Sequence, residues 1–177
     1  MVPEQKAARR VDVYRCTEYP AKFERVSTWF EGVRMVDVNV FEHEGRWWLF
    51  CAAKRKGLGY DESLFAYSSD HPIRGQWVSH PLNPLVQASC HGRPGGRVFR
   101  DEAGHLFRPS QNCSPHYGSG LNLSEIEELS LTEYRERPLW HVSGQEAGGW
   151  RGLHHLDVHG ALMAMDAERE LKKGPLG

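Results

Sequence analysis

The chain is short of the features that most directly point to a functional class. It has no excess of one charge, with 22 Lys and Arg against 23 Asp and Glu. That balance supplies no electrostatic pull towards nucleic acid or an anionic membrane, so no nucleic-acid partner is expected. No apolar run approaches the roughly 20 residues that cross a bilayer, so no membrane span is expected either. The opening MVPEQKAARR lacks the apolar core of a secretory signal. Cys16, Cys51, Cys90 and Cys113 are far apart and form no C-x-x-C pair. They read as buried, reduced thiols in a cytoplasmic chain. Nothing in the sequence calls for a cofactor.

Helical periodicity is scarce as well. LSEIEELSL (123–131) suits two helical turns, and AMDAERELKK (164–173) suits a short terminal helix. Elsewhere, short runs of Val, Phe, Trp and Tyr alternate with Gly, Pro, Asn and Asp, the signature of an all-β chain. One unit recurs: strand, tight turn ending in Gly, strand. It appears as VDVNVFEHEGRWWLF (36–50), GGRVFRDEAGHLFRP (95–109) and GLHHLDVHGALMAMD (152–166). The turn glycines 45, 104 and 160 stand 59 and 56 residues apart. A repeat this long, of perhaps four strands per unit, suits propeller blades.

SLFAYSSDHPIRGQW (63–77) reads as the outer half of a blade, and RVDVYRCTEYPAKFERV (10–26) repeats its pattern. PLNPLV (81–86) reads as a crossover between blades. In RWWLFCAA (46–53), Trp47, Leu49 and Cys51 alternate with Trp48, Phe50 and Ala52, so both faces are apolar. A strand buried on both faces belongs to a sheet covered on both sides, whereas a β-sandwich leaves one face wet. The expected fold is therefore an all-β, partial β-propeller of about three to four blades. Residues 1–9 form a disordered lead, 10–167 the propeller, and 168–177 a tail.

VDVNVFEHEGRWWLF, LFAYSSDHPIRGQWVSHPLNP and RPGGRVFRDEAGHLFRPSQNCSPHYG resemble the five-bladed propeller domain at the N-terminus of plant glucosamine inositolphosphorylceramide transferases. The pattern is more distantly similar to family 43 glycoside hydrolases. The resemblance spans about residues 10–167. It implies a short chain, because five blades at this period need about 280 residues. The first blade and the inner half of the second would be missing, through truncation or because another copy covers the open side. EYPAKFERVSTWF (18–30) offers that side little polar cap, so self-association is expected.

Asp37 opens an innermost strand. In family 43 hydrolases an acid at the matching position tunes a catalytic carboxylate pair. The place of that family's usual Glu reads HGRPGGRVF here, with His91, Arg93 and Arg97. One carboxylate of three cannot run a two-carboxylate mechanism, so no residue is assigned as catalytic and Asp37 remains a candidate. Arg93, Arg97, Arg108, Gln111 and Asn112 cluster around the second hairpin. Guanidinium forks bind carboxylate or phosphate, and amides suit sugar hydroxyls. His154 and His155 are candidates to line the axis. His159 and Asp157 lack ligand spacing with them, so no metal is expected. The expected function is a non-catalytic module that handles a sugar or sugar-phosphate, or supports a glycosyltransferase-type enzyme. The alternatives are a family 43-type glycoside hydrolase, or a purely structural domain.

Overall fold

The computed structural model describes residues 1–170 and is almost entirely β. A first hairpin pairs β1 (Arg10–Glu18) with β2 (Lys22–Glu31). A sheet of order β3–β4–β5–β6 follows, from Met35–His43, Arg46–Ala53, Ser63–Ser69 and Val78–Ser79. Strand β7 (Val86–Gln87) also pairs with β5. The next sheet combines β8 (Phe99–Arg100), β9 (Leu106–Asn112), β10 (Gly120–Leu129) and β11 (Tyr134–Ser143), each antiparallel to its neighbour. After the short helix α1 (Gly144–Gly148), a last hairpin pairs β12 (Leu156–His159) with β13 (Leu162–Met165). Sequential antiparallel sheets packed face to face make this a partial β-propeller. The five-stranded β3–β7 sheet and the four-stranded β8–β11 sheet are accompanied by the two-stranded β1–β2 and β12–β13 hairpins.

Strand β4 joins the blades. Trp48 and Phe50 pack with Phe41, Leu64 and Ala66 against Val98, Leu106, Ile126 and Leu129 of the next blade. Leu49, Cys51 and Ala53 turn the other way, into a core with Val11, Met35, Phe65 and Tyr67. Each large apolar side chain buried this way contributes about 1.5–3 kcal/mol. A third, smaller core seats β12 through Leu156 on Leu121 and Leu153.

The first hairpin packs as an outer half-blade. Phe30 meets the Tyr67 ring edge-on at 4.9 Å, and Trp29 meets Trp77 at 5.1 Å. Trp77 lies immediately before β6. Asn83, within the expected crossover, hydrogen-bonds both backbone groups of Ala66.

Several expectations are corrected. LSEIEELSL is strand β10 rather than helix. AMDAERELKK begins as strand β13, is not helical through residue 170, and runs beyond the described residues at 171–173. Residues 1–9 are placed rather than disordered, and Met1 exchanges backbone hydrogen bonds with Tyr14. Among the cysteines only Cys51 is buried, while Cys16 and Cys90 are exposed. In the first hairpin Tyr19 and Phe23 are exposed. Asp12 is fully buried there, accepts a hydrogen bond from the Thr28 hydroxyl and pairs with Arg10. Thr28 above all, then Arg10 and Arg25, hold its carboxyl below the usual range against burial.

Arg108, expected at the axis, instead lies buried within the second blade, 1% exposed. Its Nε and one terminal nitrogen grip both Glu136 oxygens at 2.6 Å, and Tyr134 donates to the same carboxylate. Burial pushes the Glu136 carboxyl up, but Arg108 and Tyr134 more than offset it and hold it below its ordinary value. Its stabilising contribution is therefore complete above the ordinary glutamate range and is lost as pH falls through the lower folded value. Glu136→Gln is expected to cost about 3–5 kcal/mol in urea unfolding, because it leaves a buried guanidinium uncompensated. The double variant Arg108→Met, Glu136→Leu should recover most of that loss. Its melting temperature should also fall less than the parent's between about pH 5 and pH 3.

Candidate functional site

The innermost segments of three successive blades meet at one cavity. In β3, a bulge interrupts the pairing between Val36 and Asn39. Asp37 sits in it at φ 52°, a left-handed conformation that Asp tolerates better than most residues. In the second blade, residues 93–97 continue the inner edge ahead of β8. Gln111 N–H donates to the Arg93 carbonyl, and Pro94 bridges to Ser110. In the third, Leu156 N–H donates to Gly95 O. Gly96 lies so close to this strand that a Cβ would meet Leu156 O at 1.9 Å, which excludes any other residue there.

The Asp37 carboxylate accepts from Arg93 Nε at 2.6 Å. A second nitrogen of Arg93 donates to Asp61 at 2.6 Å, from the loop between β4 and β5. The guanidinium also lies over the Tyr117 ring, 4.7 Å from its centre, and Tyr117 in turn packs on His154 at 4.9 Å. Burial pushes the Asp37 carboxyl above the ordinary range, with Arg93 pulling against it. Burial also disfavours the Arg93 charge, but Asp37 and Asp61 more than offset that and keep it protonated.

Beside this cluster opens a cavity of about 570 Å³, lined by Asp37, Asn39, Pro94, Arg97, His155 and Asp157 among others. Arg97 is half-exposed there. It lies 3.3 Å from Asp157 and donates to Val158 O. The volume suits a small ligand with a few convergent polar groups.

Of the residues proposed from sequence, Asp37, Arg93, Arg97 and His155 therefore converge. Gln111 stands behind them, buried, donating to Pro94 O at 2.9 Å and so bracing the inner segment. Asn112 lies elsewhere; it caps the backbone of Ser114 and lines a separate cavity of about 560 Å³. His154 is held beside Asp166 and Glu168, its ring nitrogens 3.6 and 3.7 Å from their oxygens. Arg108 is in the blade interior. Among the described residues, no group of three or more His, Cys, Asp or Glu is placed to hold a metal, and no helix is long and apolar enough to cross a membrane.

Sequence reasoning missed Asp61 and Tyr117. Neither lies in a repeated hairpin, and only the repeat of the half-blade pattern marks the Asp61 loop as sharing an end with Asp37.

Residues 1–165 match the family described as glucosamine inositolphosphorylceramide transferase 1, N-terminal. The glucosamine inositolphosphorylceramide transferase 1 of Oryza sativa subsp. japonica is 32% identical over 183 residues, covering 96% of this chain and 24% of its own length. That of Arabidopsis thaliana is 32% identical over 169 residues, covering 89% of this chain and 21% of its own length. The chain thus spans about a quarter of these relatives. Among solved structures, the GH43_1 enzyme from Xanthomonas citri complexed with xylotriose matches with a TM-score of 0.50 at 16% identity. The match covers 73% of this chain and 46% of that one, and it bears on the fold alone.

The Asp37 geometry sets an order of tolerance. Asparagine adopts the left-handed conformation readily and can still meet Arg93, so Asp37→Asn should change unfolding free energy by about 1 kcal/mol. Asp37→Val places a β-branched residue at positive φ and strips Arg93 of a partner, and should cost about 3 kcal/mol or more. Urea melts of the two variants check the order.

Proposed function

The chain belongs to the glucosamine inositolphosphorylceramide transferase N-terminal family, and from that premise we propose that its axial pocket binds a sugar or sugar-phosphate without transferring or hydrolysing it. The observation that carries this reading is the convergence of Asp37, Arg97, His155 and Asp157, from three blades, on one cavity of small-ligand size. Carboxylate, guanidinium and imidazole groups together match hydroxyls and a phosphate. The carboxylates are committed to guanidinium partners: Asp37 and Asp61 to Arg93, Asp157 to Arg97. A glycosidase needs two carboxyl groups free to flank the scissile bond. In this reading the pocket presents or holds a glycan for a transferase. The relatives' name supplies the probes, an amino sugar and an inositol phosphate.

Titration calorimetry with glucosamine and with myo-inositol 1-phosphate tests it. Binding is expected for at least one of them. Arg97→Ala should weaken the phosphate-bearing probe about 10–100-fold, the worth of a charge-assisted hydrogen bond. Hydrolysis of aryl arabinosides or xylosides should stay at background. Turnover that falls about 10²–10⁴-fold in Asp37→Asn would establish the hydrolase alternative instead.

A further inference from the structure

One side chain of the axial cavity has half of its hydrogen-bonding capacity unused. Asn39 stands on β3 opposite Phe50 and lines the cavity of about 570 Å³, between Val38 and Val40. Its side-chain nitrogen donates to Asp37 O at 3.4 Å and to Phe50 O at 3.5 Å. A backbone carbonyl can only accept, so both partners require the nitrogen to face them, and the amide is fixed in one orientation. Oδ1 therefore faces away from those carbonyls. It is buried and has no hydrogen-bond partner among the described residues.

The opposite wall is short of partners in the same sense. Asp157 Oδ1 is also buried without a hydrogen bond; Arg97 Nε lies 3.3 Å from it, in ionic contact alone. Arg97 has spent a terminal nitrogen on Val158 O, and Asp37 has given Oδ2 to Arg93. Among the described residues, the two buried side-chain atoms of the lining that lack a hydrogen bond are thus both acceptors. What the cavity is missing is a donor. A site with such an atom discriminates sharply. A ligand that supplies the donor is kept, and an analogue without it leaves the atom unpaired.

We propose that Asn39 is a specificity-determining residue of this pocket, its Oδ1 accepting a hydrogen bond from an O–H or N–H group on the ring of the bound sugar. The inference rests on the sugar-binding reading above and narrows it. Asn39 and Arg97 meet different parts of one ligand, a donor at Asn39 and an acceptor or anion at Arg97. The donor is a ring hydroxyl or the ammonium of an amino sugar, which share this chemistry.

Titration calorimetry on the full chain with glucosamine, glucose and myo-inositol 1-phosphate tests this, using two substitutions that separate recognition from structure. Asn39→Leu and Asn39→Asp both remove the N–H groups given to Asp37 O and Phe50 O, so both should lower the melting temperature. Only Asn39→Leu also removes the acceptor. It should weaken each probe that the parent binds by about 10-fold or more, whereas Asn39→Asp should stay within about 3-fold of the parent or bind more tightly. Tighter binding of glucosamine but not of glucose by Asn39→Asp identifies the ammonium as the donor, and equal retention of both identifies a hydroxyl. Should Asn39→Leu not fold, Asn39→Ser replaces it, because its shorter side chain withdraws the acceptor while its hydroxyl can still donate to a carbonyl. Equal losses in Asn39→Leu and Asn39→Asp would mean that Asn39 only braces the bulge. Unchanged affinity in Asn39→Leu would mean that it does not meet the ligand. Either result overturns the proposal and leaves sugar binding by the pocket intact. A parent chain that binds none of the three probes overturns the sugar-binding reading itself, and the proposal with it.

Discussion

The structure depends on one strand being dry on both sides. Strand β4 sends Trp48 and Phe50 into one core and Leu49, Cys51 and Ala53 into another. Two sheets must therefore lie against it, one on each face, and neither can be removed without wetting a row of large side chains. That requirement sets the stacking of the first hairpin, the β3–β6 blade and the β8–β11 blade. The stacking brings their inner edges together, and the cavity at the axis follows from it. The site is thus a consequence of how the blades pack.

The double burial was legible because apolar residues without interruption over WWLFCAA (47–53) leave no polar face to expose. The repeat was legible because each blade restarts with the same hairpin, although its turns differ in detail. Glu44 and Gly45 both take positive φ in the first, whereas Gly160 stands at the first turn position of the third. What misled the reading was a bulge. In β10 the pairing shifts between Ile126 and Glu128, which inserts one residue. Ile126 and Leu129 then share a core across a spacing of three, and a spacing of three looks helical. A bulge is set by cross-strand partners, so no local pattern announces it. The short helix α1 was not anticipated, although its capping box, in which Ser143 and Glu146 satisfy each other's backbone N–H groups, has the S-x-x-E spacing.

The site was half legible for a related reason. Strand alternation put Asp37 on an inner strand, and the cluster of arginines marked the adjoining segment. Alternation cannot separate Arg93 and Arg97, which reach the axis, from Arg108, which is buried. That distinction depends on Glu136, 28 residues away on β11, where a carboxylate waits in the interior. Asp61 is 32 residues from Arg93 and meets it only because the β4–β5 loop shares an end with the start of β3. Long-range partners of this kind are products of packing, and the sequence carries them only through the fold.

Asp37 also departs from its local rule. A non-glycine residue at positive φ, on a bulge, with burial working against its charge, combines costs that only its surroundings can sustain. Arg93 is what sustains it, and Arg93 is itself fixed on three sides, by Asp61, by the Tyr117 ring and by the backbone bond from Gln111 to its carbonyl. The result is a carboxylate held in one orientation beside the cavity, with its charge largely spent on its neighbour. Arg97 is half-exposed and held by a longer contact to Asp157. The cavity is thus bordered by two carboxylate–guanidinium contacts of different character, the short, buried Asp37–Arg93 pair behind one side and the longer, half-exposed Arg97–Asp157 pair on the other.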